Sequence, residues 1–478
     1  MAEVVLFNPK IGIYSRVFRP FIPLGLLSVS SLLDQAGVRV RIIDQHMDRN
    51  WRRTLTGELK TRPRLVGITS MTGSQLRGAI DASRLVRDHG NTPIVWGGVH
   101  ASLFPDQTLD NPFVDFVVRG EGERALFQLY DTLTRGGDLD RVPNLSYIRS
   151  RAVHHSPTGD FLDLDELPDV PYHLLDVKAY LHTYFYKRDV IEIETSRGCP
   201  HACGFCYNKA FNRQVWRPRT PAAILRAIKR LMARNGLRSI LVIDDSFFVN
   251  IDRVNEFIRM VLAEHLDINL GFQGRLDGIT RMNDARLEDL VRAGTRFLQF
   301  GVESGSPRIL KLINKQVTIE EVLEVNRRLS RFKELYSFYN FMVGLPTETE
   351  EDIMRTVDLA WRLLKENPNA NIGTIHIYKE YPGTPLYDQA VATGYQAPRT
   401  LEEWSEYDWQ SAVGRDRDAT QMKLIKGITV ASYCLDDKIR MLGDSQLASI
   451  LSDLYRPISR FRFRHKFFRF MPETVLFS

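Results

Sequence analysis

Through roughly the first 140 residues, short apolar runs alternate with amphipathic stretches. The apolar runs are VVLF (4–7), VRVRIID (38–44), LVGITS (65–70), PIVWGG (93–98) and DFVVRG (115–120). Between them lie SVSSLLDQAG, SQLRGAIDASRLVRDHG and ASLFPDQTLD, where apolar residues recur at helical spacing. Apolar strands separated by helices and Gly-marked turns predict an α/β fold with a parallel, doubly wound, Rossmann-like sheet. Ligands of such sheets bind beyond the carboxyl ends of the strands. Those ends read NPKIG, DQHMD, SMTGS, GGVHAS and RGEGE, rich in Gly, Ser and other small polar residues. No G-x-G-x-x-G follows the first strand, so a standard dinucleotide site is not predicted. The G-x-G within RGEGER (119–124) reads as a turn entering a helix.

Residues 141–188 change character. NLSYIRSRAVHHSPTGDFLDL suggests a hairpin around PTGD, and ELPDVPYHLLD an extended, Pro-marked linker. From 189 the alternation resumes with a longer beat: VIEIET (190–195), SILVIDD (239–245), INLGFQ (268–273), RFLQFG (296–301), SFYNFMVG (337–344) and IGTIHIY (372–378). TPAAILRAIKRLMARNG (220–236) has apolar residues three and four apart and a Thr-Pro start, both helix signals. Six β/α units predict a partial, TIM-like (β/α)6 barrel, whose active site belongs at the carboxyl ends of its strands. Residues 395–478 lose the alternation and read as helical. The expected division is 1–145, a linker at 146–188, a barrel at 189–394 and a helical region at 395–478.

The chain's 478 residues suit two to four domains. At 44% hydrophobic and 26% charged the composition is that of a soluble globular protein. MAEVVLFNPK is no secretory signal, and no apolar run reaches the length of a spanning helix. A net charge of +6 permits anionic partners without demanding them, and no nucleic acid partner is expected. Four cysteines in this length are not a disulfide framework. Three of them cluster in ETSRGCPHACGFCYN, as Cys199, Cys203 and Cys206, which points to metal binding or catalysis in a reducing compartment, the cytoplasm.

The spacing is C-x3-C-x2-C. A four-iron cluster normally takes four thiolates, so three leave one iron open to a small molecule. Gly198, Pro200 and Gly204 suit a loop that wraps closely round a cluster. The competing readings are a zinc site with His201 as fourth ligand, and a purely structural cluster.

With Phe205 as the aromatic, C-x3-C-x-Φ-C resembles the signature of the radical S-adenosylmethionine (SAM) enzymes. The resemblance runs over roughly 185–390. It implies a [4Fe-4S] cluster on Cys199, Cys203 and Cys206, with SAM on the open iron. One electron from an external reductant then cleaves SAM to methionine and a 5′-deoxyadenosyl radical. It further implies SAM contacts from Phe205, from Asp245 (or Asp244) in VIDDSFF, from Gln273 and Arg275 in GFQGRLDG, and from Glu303 with Ser304 in GVESGSPRIL. FMVGLPTET (341–349) resembles the strand flanking adenine, and YPGTPLY (381–387) the segment closing the barrel. Each has a plainer reading: paired aspartates cap helices, Arg275 pairs near Asp277, and GLPTET is a turn.

An N-terminal sheet before such a barrel resembles the cobalamin-dependent subclass. The resemblance implies a cobalamin-binding domain with Ser70, Thr72, Gly97 and Gly98 at the cofactor. The cobalt-ligating D-x-H-x-x-G is missing. Asp44-Gln45-His46 is similar, but Arg49 replaces the Gly and the motif follows the second strand, so His46 reads as a loop residue and cobalamin as base-off. The domain has no cysteine, which excludes the methylthiotransferases with their second cluster; Cys434 reads as a helix core residue.

The chain ends in RPISRFRFRHKFFRFMPE (456–473), basic and aromatic residues interleaved. This is either a terminal segment docked on the protein with its arginines reaching outward, or a peripheral membrane or lipid contact. The function expected is methylation of an unactivated carbon of a small-molecule or lipid substrate. The alternatives are a cobalamin-dependent cyclase of the porphyrin-ester type and a non-catalytic cluster-binding sensor.

Overall fold

The structure is a computed structural model, described over residues 1–12, 20–184, 187–407, 419–436, 446–468 and 470–471. The chain divides into two compact units. One comprises 1–180, 210–212 and 394–411; the other comprises 181–209, 213–393 and 412–478.

The first unit is built on a seven-stranded sheet of order β2-β1-β3-β4-β5-β6-β7. The strands are β1 (Val4–Asn8), β2 (Val40–Asp44), β3 (Leu65–Thr69), β4 (Ile94–Gly97), β5 (Phe116–Val118), β6 (Leu145–Arg149) and β7 (Ala152–His155). The first five pair in parallel and β6 and β7 antiparallel. Val4, Val5, Leu6 and Phe7 are all buried, as a central parallel strand requires. Strand order reverses between β1 and β3, which places the ligand crevice at the loops that follow them.

Three expectations are corrected here. The hairpin turns at Ser150 and Arg151, not around PTGD; both residues have positive φ (50° and 66°), the twist that a two-residue hairpin demands. The two strands also make residues 146–155, expected in the linker, part of this sheet. In addition, 394–411 returns to the first unit instead of joining a separate C-terminal region. Its short helix, Leu401–Ser405, buries Trp404 completely.

The second unit has strands β8 (His182–Tyr184), β9 (Lys187–Ile193), β10 (Ser196–Arg197), β11 (Arg217–Pro218), β12 (Ser239–Val242), β13 (Asn269–Gly274), β14 (Thr295–Glu303), β15 (Tyr336–Val343) and β16 (Ala370–Ile377). Its main sheet has the order β16-β15-β14-β13-β12-β9-β8; all pairs are parallel except β8 with β9. The sheet has two free ends, as a partial barrel does. Along β15, burial alternates: Ser337, Tyr339, Phe341 and Val343 lie under the helices, while Phe338, Asn340 and Met342 face the half-buried inner side. The outer layer is well terminated. Helices Ile319–Leu329 and Glu350–Glu366 each begin with a capping box, at Thr318 and Thr349.

Edge strand β16 is covered by helix Ala419–Ser432. Ile375 N–H donates to Ser432 Oγ (2.9 Å) and Thr429 Oγ1 donates to Ile375 O (2.9 Å), so the exposed ladder is occupied. Helix Gln446–His465 docks in turn, with Ser459 Oγ donating to Ala431 O at 2.5 Å. Among the described residues no helix is long and apolar enough to cross a membrane.

Candidate active site

The cysteine loop leaves the carboxyl end of β9, inside the antiparallel ribbon of β10 and β11. Backbone bonds pin it at every turn. Gly198 N–H donates to Asp245 Oδ2 (2.8 Å), Cys199 N–H to Asn208 Oδ1 (3.1 Å) and Cys206 N–H to Cys203 O (3.1 Å). Gly204 N–H donates to Ile313 O (2.8 Å) and its carbonyl accepts from Leu386 N–H (2.9 Å). A loop whose donors and acceptors are held from outside keeps its thiols free to bind. All four cysteines are free thiols. Burial pushes Cys199 up and Cys206 to about 11, because taking the sulfur out of water disfavours its charged form.

The two adjacent aspartates have opposite fates. Asp244 is buried and accepts from Thr195 N, Thr195 Oγ1 and Ser196 Oγ, each at 2.6 Å. It fastens the turn between β9 and β10. Asp245 is open to solvent and supports Gly198. Its carboxyl is raised, chiefly by burial, with Glu194 adding to the shift. Solvent reaches its side chain although protein surrounds it, the mark of a group lining a concavity. Tyr207 and His376 behave alike: both are exposed, yet burial raises the phenol and lowers the imidazole. His376 stands opposite Met342 on β16.

Arg275, at the end of β13, is buried among the loop's supports. Nε donates to Asp277 Oδ1 (2.9 Å), Nη2 to Lys315 O (2.6 Å) and Nη1 to Cys203 Sγ (3.4 Å). Glu303 ends β14 with φ +74°, a left-handed conformation costly for a side-chain-bearing residue. Its Oε1 accepts from Lys315 Nζ at 2.8 Å. Gly301 makes this possible, since a Cβ there would lie 2.1 Å from Glu303 Oε1. Gln273 Nε2 donates to Gln299 Oε1 (3.1 Å) on the same inner face.

One SAM contact implied by the resemblance, Ser304, is placed elsewhere. Ser304 is fully buried: its Oγ meets Thr356 Oγ1 at 3.2 Å and accepts from Ser306 N at 3.1 Å, so it joins β14 to helix Glu350–Glu366. Phe205 is half-buried: it packs on the core of Ile309, Ile313 and Leu386 and has Lys315 Nζ 5.6 Å from its ring centroid. In GLPTET, the Glu348 carboxylate accepts from the N–H of Gly344 and of Leu345, a turn closing on itself. Lys315, Asn208 and His376 are functional candidates that no motif signalled.

In the first unit, the loops after β3 and β4 are laced together. Ser70 N–H and Oγ both donate to Gly97 O (2.8 and 3.0 Å), and Thr72 Oγ1 meets His100 Nδ1 at 3.0 Å. Gly98 has φ +91°, and a Cβ there would lie 2.6 Å from Ser70 O, so only glycine fits. Gly97 differs: its nearest neighbour would be 3.8 Å away, which leaves a shelf of bare backbone. Ser70 is fully buried and supports this shelf from behind. His100 is buried between Phe104 and Trp404, with ring centroids 5.5 and 5.8 Å away, and its Nε2 has no hydrogen-bond partner. Burial lowers it to about 3. His46 N–H donates to Asp44 Oδ1 at 2.9 Å and its ring is partly buried beyond β2.

Residues 193–360 match the Radical SAM superfamily and residues 13–129 the B12 binding domain. The chain belongs to the radical SAM superfamily. It carries a B12-binding domain before its radical SAM domain. An uncharacterized methyltransferase of Pyrococcus horikoshii is 29% identical over 355 residues, 73% of this chain and 74% of that protein. An anaerobic magnesium-protoporphyrin IX monomethyl ester cyclase of Synechocystis sp. is 31% identical over 327 residues, 66% of this chain but only 63% of that longer enzyme. The fold is that of TsrM, a radical SAM methyltransferase from Kitasatospora setae solved with cobalamin and a [4Fe-4S] cluster. The TM-score is 0.71 at 17% identity, over 98% of this chain and 100% of that one.

The residues present fit the cofactors of a cobalamin-dependent radical SAM enzyme: a [4Fe-4S] cluster, SAM and cobalamin. Among the described residues no three His, Cys, Asp or Glu side chains converge on a single metal ion. Three thiols on one loop suit a cluster in which each thiolate takes its own iron. His201 instead lies near Gln316 (Nδ1 to Oε1, 3.3 Å) and Asp277 (Nε2 to Oδ2, 4.0 Å). Arg275, already on Cys203, places positive charge where the three thiols would hold an anionic cluster. For cobalamin, the bare shelf at Gly97 is the kind of surface a large planar cofactor or its nucleotide tail approaches.

Proposed function

We propose that this radical SAM enzyme is a cobalamin-dependent C-methyltransferase acting on a small-molecule or lipid substrate, with electrons from an external one-electron reductant. The observation that carries the reading is the three-thiol loop, held by Asp245, Asn208, Ile313 and Leu386, in a chain that also has a B12-binding domain. When bound, the cofactors supply a carbon-centred radical and a methyl group. The chain's own residues do the rest. Asp245, solvent-reached and opposite a thiol loop, is suited to accept from an ammonium such as that of SAM's methionine. Glu303, fixed by Lys315, is suited to accept from ribose hydroxyls. Arg275 holds Cys203 and balances charge. Gly97, Gly98 and Thr72 form the proposed cobalamin cradle, with Ser70 behind it. His376, exposed within the concavity, is suited to exchange a proton with the substrate. A reducing cytoplasm suits an enzyme with free thiols at its centre.

The test is anaerobic reconstitution followed by turnover with SAM under reducing conditions. Methyl transfer gives S-adenosylhomocysteine together with 5′-deoxyadenosine. The cyclase alternative, favoured by the 31% identical relative, gives 5′-deoxyadenosine without S-adenosylhomocysteine. A sensor gives neither, and that result overturns the enzymatic reading.

A further inference from the structure

Helix Gln446–His465 has three distinct faces. Ser452, Ser459, Arg462 and Phe463 are buried against the second unit. Ile450, Leu451, Leu454, Ile458 and Phe461 are exposed, at 56, 55, 69, 48 and 54%. Their spacing of three and four residues gathers them into one stripe. Arg460 and Arg464 lie along the edge of that stripe, both exposed. Phe467 and Phe470 extend the apolar surface past the helix end. Of the 18 large apolar residues exposed among the described ones, seven fall in this one segment, so the patch is not scattered surface.

The stripe is held rigidly outward. Arg462 Nη1 donates to Phe467 O (3.0 Å) and Phe470 O (2.9 Å), and Lys466 Nζ pairs with Asp358 at 3.0 Å. The helix therefore cannot roll its apolar side inward without breaking buried bonds. A protein partner would favour an apolar patch depleted of charge at its core. Here residues 450–471 carry six Lys or Arg and one Asp, and aromatic rings stand beside the cations. That is the chemistry of a helix lying in a bilayer interface, apolar stripe among the acyl chains and arginines at anionic head groups.

We propose that this stripe docks the enzyme on an anionic phospholipid membrane. The contact is peripheral and independent of which reaction the barrel catalyses.

The cofactor-loaded full chain is mixed with phosphatidylcholine vesicles, with and without phosphatidylglycerol, and bound protein is separated by flotation. The expected result is binding to the anionic vesicles that weakens as salt is raised. Leu454→Glu/Phe461→Glu should lower it by about tenfold or more, because two apolar side chains no longer enter the interface. Arg460→Glu and Arg464→Glu should each lower it by about fivefold. Leu454→Ser is the milder second variant, should the double one fold poorly. All should cleave SAM in vesicle-free solution as the parent does. Failure of the parent to float, equal binding to neutral vesicles, or a parental dimer that Leu454→Glu/Phe461→Glu splits would each overturn the proposal, the last by making the stripe an interface between copies.

Discussion

Lys315 Nζ stands 2.8 Å from Glu303 Oε1, and both side chains are nearly buried. The carboxylate belongs to a strand end in a left-handed conformation and the ammonium to a loop twelve residues on. Removing one partner of such a pair leaves the other charge buried and unmatched. Lys315→Met should therefore cost about 3 kcal/mol and lower Tm by several degrees. The double variant Lys315→Met/Glu303→Gln should recover most of that loss. Calorimetry of both decides it; a single variant as stable as the parent would show that neither charge depends on the other.

Ser or Ala at any of Cys199, Cys203 and Cys206 should remove the cluster and abolish SAM cleavage. Cobalamin content should survive, because the B12-binding domain is folded around its own sheet. Iron and cobalamin analysis of the anaerobically purified variants separates the two. Loss of cobalamin with the cluster would contradict it.

Gly97 and Gly98 should respond differently to alanine. At Gly98 a Cβ would lie 2.6 Å from Ser70 O, with φ +91°, so Gly98→Ala should destabilise the first unit. At Gly97 there is room, the nearest atom being 3.8 Å away. Gly97→Ala should fold normally yet bind cobalamin more weakly, because the methyl fills the shelf. Thermal melts and cobalamin titrations of the two variants check this; unchanged cobalamin affinity in Gly97→Ala would place the cofactor elsewhere.

His100 should make stability depend on pH. Its value in the fold is about 3 against an ordinary 6.5. Between those limits the unfolded chain holds a proton here that the folded chain does not. Stability accordingly falls as pH drops through 6.5 towards 3, by about 1.4 kcal/mol per pH unit from this group. His100→Asn, whose side-chain amide takes the place of Nδ1 beside Thr72 and does not titrate, should flatten that slope. Denaturant melts at pH 7 and pH 5 measure it.

The sheets were legible because their strands are buried on both faces and spell continuous apolar runs, as VVLF and SILV do. The cysteine loop was legible because its chemistry depends on local spacing. Other features depend on contacts that sequence does not display. Asp244 and Asp245 are neighbours, yet alternate side chains point to opposite sides, and only the fold shows that Asp244 is consumed by Thr195 and Ser196. Ser304 looked like a ligand residue because a hydroxyl beside a carboxylate does, but it turns to Thr356, 52 positions on. The hairpin turn hid in Ser150-Arg151, residues that seldom adopt positive φ, while PTGD advertised a turn it does not make. Lys315 gave no signal, since LINKQV is ordinary until Glu303 is seen beside it.

The slot for Trp404 has a consequence for how the protein is made. His100 is covered by a ring that emerges from the ribosome some three hundred residues after it. The first unit is thus discontinuous along the chain, and a fragment ending at residue 180 lacks one of its own walls. During synthesis that sheet waits, incomplete, while the entire intervening radical SAM domain is translated.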